Sequence, residues 1–152
     1  MRLGLLAGSL ACLMASAALA ESAISISKAV FVERAQRSAD GSVMRAIEPA
    51  SELRKGDKVV LVIEWRSVKE ADSFSVSSAV PRTLAFQRAG ADQVEISIDG
   101  GRNWGRLGTM RTRDRDGDRL ASPEDVTHLR WRVADSDAAR GRGRFTYSAL
   151  VR

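Results

Sequence analysis

Apolar and polar positions alternate with a period of two over most of the chain, the spacing at which a strand turns one face to a core and the other to water. In Gly56 to Arg66 one face carries Val59, Leu61, Ile63 and Trp65, while the other starts apolar and ends with Glu64 and Arg66, which predicts a central strand. Gln93 to Asp99 alternates more cleanly, with Val94, Ile96 and Ile98 inward. Thr127 to Val133 sets Leu129, Trp131 and Val133 against His128, Arg130 and Arg132, and Arg144 to Arg152 turns Phe145, Tyr147, Ala149 and Val151 inward.

Ser22 to Glu33 reads as a long first strand in which Ile24, Ile26, Val30 and Val32 share a parity that Lys28 breaks, so a bulge or a change of sheet is expected there. Phe74 to Val80 and Thr83 to Phe86 flank Pro81, which cannot donate to a ladder and marks a bend, an edge or a strand boundary. Met110 to Thr112 can pair back across a turn. Residues 35–55, 113–121 and 135–144 read as polar loops. Helical periodicity is nearly absent; Ser122-Pro123-Glu124-Asp125, with a serine cap, proline at the first position and acids behind it, predicts one turn. Many short strands with polar turns predict an all-β antiparallel sandwich, because each strand buries one face and needs a second sheet opposite. No internal repeat is present.

The first twenty residues are of another kind. Arg2, the apolar run Leu3 to Leu13 and the small-x-small step Ala18-Leu19-Ala20 form a secretory signal peptide, residues 1–20, ahead of a single domain, 21–152. The run is too short to cross a bilayer of ~30 Å, and no later segment is apolar enough, so no transmembrane segment is expected after cleavage. Cys12 could instead be a lipidated terminus, but Ser9-Leu10-Ala11 lacks the order of residues that precedes such a cysteine. Its removal with the signal leaves no thiol for disulfides, nucleophilic catalysis or metal binding. The expected location is the periplasm or the outside of the cell. Once Arg2 is gone, 23 basic residues face 19 acidic ones, and lysine contributes only Lys28, Lys55, Lys58 and Lys69. So mild an excess is weak evidence for a polyanion partner, and no nucleic-acid partner is expected.

Two segments resemble a known pattern. Lys55 to Ile63 looks like the "pGd.vtytit" opening of the immunoglobulin-like conserved repeat domain of unknown function found in bacterial surface and secreted proteins, and Ala79 to Phe86 is similar to its "plPxgLxf" step. Ile96 to Gly105 and Asp125 to Val133 resemble the "SvDGGxxfg" and "DVThlrW" segments of small exported members related to that repeat. The likeness spans roughly residues 50–152 and departs at Glu64-Trp65-Arg66-Ser67, where the repeat continues with a Thr-x-x-Asn turn. The resemblance implies an Ig-like antiparallel β-sandwich in an envelope or secreted setting. It implies no activity, no catalytic residues and no cofactor.

Candidate chemistry is sparse. Ser97-x-Asp99-x-Gly101-x-x-Trp104 fits the Asp-box spacing, in which the Asp accepts turn N–H groups, the glycines allow positive φ and the Trp folds back over the hairpin. The 132 mature residues cannot form the propeller that a sialidase would require. Asp114, Asp116 and Asp118 alternate around Gly117 as oxygen ligands for calcium would, but Arg111, Arg113, Arg115 and Arg119 neutralise them and no distant Glu completes the loop. His128, the single histidine, is expected on the exposed strand face without the partners a base or a metal site needs. No nucleophile elbow accompanies the serines. Trp65 and Trp131 share parity with aliphatic neighbours and are expected in the core, leaving Trp104 as the tryptophan for a surface contact. Arg130 and Arg132 could join Arg140, Arg142 and Arg144 in one basic face. The candidate binding surface is therefore Trp104, His128, Arg130, Arg132, Arg142 and Arg144. The sequence supports a non-catalytic envelope protein that meets a protein or glycan partner, with a polyanion-binding arginine face as the alternative.

Overall fold

The computed structural model describes residues 24–67, 73–90 and 93–152; the signal segment, Glu21, Ser22 and Ala23 lie outside the described residues. Among these residues ten strands run as β1 (Ile24–Arg37), β2 (Val43–Pro49), β3 (Lys58–Ser67), β4 (Phe74–Ala79), β5 (Leu84–Ala89), β6 (Val94–Ser97), β7 (Arg111–Asp114), β8 (Gly117–Leu120), β9 (His128–Val133) and β10 (Arg142–Val151). A 3-10 turn at Pro123–Asp125 precedes β9, and one helical turn, α1 (Asp135–Ala138), precedes β10. Every pairing is antiparallel. The larger sheet has the order β2-β1-β3-β10-β5, the smaller β4-β9-β6, and β7 pairs with β8 apart from both.

The two sheets close over side chains of the parity read from the sequence. Val59, Leu61, Ile63 and Trp65 of β3 and Tyr147 and Ala149 of β10 meet Val76 of β4, Ile96 of β6, and Leu129, Trp131 and Val133 of β9. Trp65 and Trp131 retain 2% and 1% of their surface, as their aliphatic neighbours predicted. Trp131 stacks on Phe145 at 5.1 Å and 10°, and Trp65 meets Phe74 edge-on at 5.1 Å, so aromatic contacts tie the layers together. Among the described residues no helix is long and apolar enough to cross a membrane.

Several expectations need correction. Lys28 causes neither a bulge nor a change of sheet: β1 pairs with β3 without interruption from Ile24↔Ser67 to Val32↔Val59, Lys28 lying opposite Ile63. The smaller sheet does not cover this part of β1, where Ile26 and Val30 stay 48% and 36% exposed, so a lysine there costs no buried charge. Residues 35–55 are not simply a loop, since β1 continues to Arg37 and β2 returns along it from Arg37↔Val43 to Phe31↔Pro49. An ion pair from Glu33 to Arg45 (3.0 Å) crosses this hairpin, and one from Glu33 to Lys58 (2.9 Å) ties it to β3, in place of burial. Residues 113–121 form most of the β7–β8 hairpin, and 135–144 hold α1 and the start of β10.

Candidate functional site

The loop leaving β6 is built around one carboxylate. Asp99 accepts the backbone N–H of Arg102 (3.1 Å) and Asn103 (3.0 Å), the Asn103 side-chain amide (2.6 Å) and the Ser97 hydroxyl (2.7 Å). Ser97 Oγ in turn accepts the N–H of Gly101 at 2.9 Å. Gly100 and Gly101 have φ of 81° and 87°, which other residues adopt only with strain. The Asn103 backbone and side-chain donors, followed by Ser97, hold the Asp99 carboxyl far below the usual carboxylate range. It is a turn anchor, already ionised and saturated, and so a poor proton acceptor.

This turn brings Trp104 back over the outer face of the smaller sheet. The Arg130 guanidinium sits 4.3 Å from the Trp104 ring centre, and the His128 ring meets the indole edge-on at 6.5 Å. Arg130 is fixed from its other side by Glu95, with Nε and Nη2 at 2.9 and 2.8 Å from the same carboxylate oxygen. The cross-strand pair Glu95↔Arg130 makes this possible, and neither charge is free. His128 is half-buried, with Nδ1 3.2 Å from the Thr127 hydroxyl, which also takes the N–H of Gly100 and donates to the Ser97 carbonyl. The exposed histidine expected from the sequence is thus partly enclosed by the turn.

Beside His128 a cleft of about 670 Å³ opens at the end of the sandwich where β4, β6 and β10 finish and β5 and β9 begin. Val80, Leu84, Ile98 and Val126 give it apolar walls, and Arg82, Asp99, Glu124 and Arg152 bring charges of both signs. Arg152 is fastened by donating to the Glu124 carbonyl at 2.7 Å. Arg82, Glu124 and Arg152 escaped the sequence reading because they are isolated charges in turns, gathered only by the closing of the sheets.

The arginines do not form one face. Arg130 and Arg132 alternate with Trp131, whereas Arg142 and Arg144 alternate with Phe145, which stacks on Trp131 from the other sheet. The two pairs therefore point away from each other on opposite outer surfaces. Arg140 pairs with Asp137 at 3.1 Å. Across β3, Arg142 lies opposite Arg66, a neighbour that only the register reveals.

The acidic trio occupies the β7–β8 hairpin. Arg119 reaches Asp114 at 2.6 Å and Asp125 at 2.6 Å, occupying the space between the two carboxylates, while Arg113 lies 3.5 Å from Asp118. The Asp116 N–H donates to Asp114. Among the described residues no three His, Cys, Asp or Glu side chains form a group able to hold a metal ion. Comparison of the chain with protein-family models, curated proteins and solved structures found no match in any of the three.

Proposed function

We propose that the mature chain is a non-catalytic, exported, Ig-like module of the bacterial envelope that engages a glycan or a protein at the cleft beside Trp104 and His128. One observation carries the reading: a cleft of about 670 Å³ with apolar walls and a mixed-charge rim has His128 in its lining, and the other side of that ring meets the half-buried Trp104 indole, which Arg130 covers. Such a site suits a ligand with both apolar and hydroxyl-bearing faces. Its acids and its histidine are poorly suited to chemistry. Asp99 is saturated by turn donors, and among the described residues the polar contact of the His128 ring is a hydroxyl that is itself part of the turn. The Ig-like assignment is supported by the passage of the chain between sheets at β3–β4, β4–β5, β5–β6 and β9–β10, the habit of Greek-key sandwiches.

The site is tested by titrating the ¹⁵N-labelled protein with neutral envelope saccharides, beginning with peptidoglycan fragments, and with envelope proteins. Shifts should concentrate at Asp99–Gly101, Thr127–His128 and Arg82, and vanish in a Trp104→Ala/His128→Ala double variant. Shifts centred elsewhere, or unaltered in that variant, contradict the assignment. Export is tested separately by intact mass, which should show a chain beginning at Glu21; retained Met1 or a diacylglyceryl group on Cys12 contradicts it.

A further inference from the structure

At the end of the sandwich away from the cleft, the outer face of the larger sheet gathers an excess of positive charge. Arg66 near the end of β3 and Arg142 at the start of β10 are direct cross-strand partners, and Arg144 is the next outward residue on β10. Like charges placed opposite each other in an antiparallel pair destabilise it. Yet among the described residues none of the three guanidinium groups makes an ion pair or a side-chain hydrogen bond. Other arginines are satisfied: Arg34, Arg119, Arg130 and Arg140 all reach carboxylates. Among the described residues Glu64, opposite Arg144, is the acid that lines the hollow with these arginines, and three guanidinium groups against one carboxylate leave it a net positive charge. The three arginines line a hollow of about 390 Å³ with Glu64, Trp65 and Gly143. Ser25 and Ser27 continue the face on β1, opposite Arg66 and Glu64.

We propose that Arg66, Arg142 and Arg144 form a second binding site, for sulfate or phosphate ester groups on an anionic glycan. A tetrahedral oxyanion accepts paired N–H donors from planar guanidinium groups, and placing it between Arg66 and Arg142 converts a repulsive contact into a bridged one. The surroundings favour a glycan over other polyanions. No fully exposed large apolar side chain stands among the arginines to enter a bilayer: Val62 on the same face is half-buried, the exposed Ile26 has the opposite parity between Ser25 and Ser27, and Met44, Ile47 and Leu53 lie elsewhere. The ring nearest to it on this face, Phe31, is half-buried and lines the neighbouring hollow with Glu64 and Arg144, not the one that holds Arg66 and Arg142, and Trp65 is buried, so a base between those two arginines has no ring to stack on.

The test measures affinity of the mature protein for a heparin-derived hexasaccharide at two salt concentrations, with Arg66→Gln/Arg144→Gln compared against Arg106→Gln/Arg115→Gln, a double variant of equal net charge. Binding should weaken at least tenfold in the first and remain within twofold in the second. It should also survive Trp104→Ala and His128→Ala, which separates this site from the cleft. Inorganic sulfate should raise the Tm of the parent but not of Arg66→Gln/Arg144→Gln, which on its own should melt no lower than the parent. Equal loss in both double variants would reduce the effect to net charge and overturn the site. Absence of binding would overturn it too, as would tighter binding of phosphatidylglycerol vesicles or single-stranded DNA than of the hexasaccharide.

Discussion

Gly143 shows how closely one residue controls the core, because a Cβ built on it would stand 2.6 Å from the Trp65 indole. Gly143→Ala must displace the ring or the strand, and the expected cost is about 1–3 kcal/mol by urea denaturation. Removing the ring itself, in Trp65→Ala or Trp131→Ala, should cost about 3–5 kcal/mol. A variant of either tryptophan that unfolds like the parent would mean that the side chain is not in the core. Tyr147 behaves differently. Its hydroxyl is buried beside Ser78 with no partner at hydrogen-bonding geometry, and burial pushes its pKa up to about 12. Tyr147→Phe should therefore leave stability at neutral pH unchanged or improved, since it deletes an unsatisfied group rather than a bond. The sign of the alkaline effect follows from the raised value: the neutral phenol is favoured in the fold, so its contribution is complete below the ordinary value of 10.0 and is lost as pH rises from there towards about 12. The parent should lose stability over that window more steeply than Tyr147→Phe, and parallel alkaline curves would contradict the assignment.

Elements with one buried face were legible in the sequence and those without were not. β3, β6, β9 and β10 lie within two residues of their expected limits because Leu61, Ile96, Leu129 and Tyr147 report a core on one side. Met110 to Thr112 was expected to pair back across a turn, and Arg111 and Thr112 do so with Leu120 and Arg119, but β2 and β8 escaped because residues such as Val43, Met44, Ile47 and Leu120 are exposed at 56–61%, so nothing in their polarity marks a face. Cross-strand ion pairs and ladder bonds hold them, and those depend on register. The Ser97–Trp104 turn was readable because its interactions are local. The depressed Asp99 carboxyl stabilises the fold at pH above its ordinary value of 3.8, and that contribution is lost on acidification below it. Asp99→Asn should therefore be less stable than the parent at neutral pH and approach it in acid; a constant difference would contradict the anchoring role. In the β7–β8 hairpin, Arg119 already bridges Asp114 and Asp125, so excess chelator and millimolar calcium should give the same Tm. A rise with calcium that Asp116→Ala abolishes would make this hairpin a metal site.

At the scale of the whole molecule, the two sheets turn one chain's arginines to opposite sides and its exposed turns to opposite ends. Alternation alone told which arginines face outward, but not that the outward faces of β9 and β10 diverge, nor that Arg66 faces Arg142; the stacking of Trp131 on Phe145 and the β3–β10 register decide both. The cleft was likewise hidden, because Arg82, Glu124, His128 and Arg152 come from four separate turns and strand ends. The account rests on a division among three tryptophans, two sealed between the sheets and Trp104 held at the proposed binding surface. Acrylamide quenching of tryptophan fluorescence tests that division most directly. The parent should show one accessible component, and Trp104→Phe should remove it and leave only emission that acrylamide barely reaches. Strong quenching that persists in Trp104→Phe would place Trp65 or Trp131 in solvent and contradict the fold and the site together.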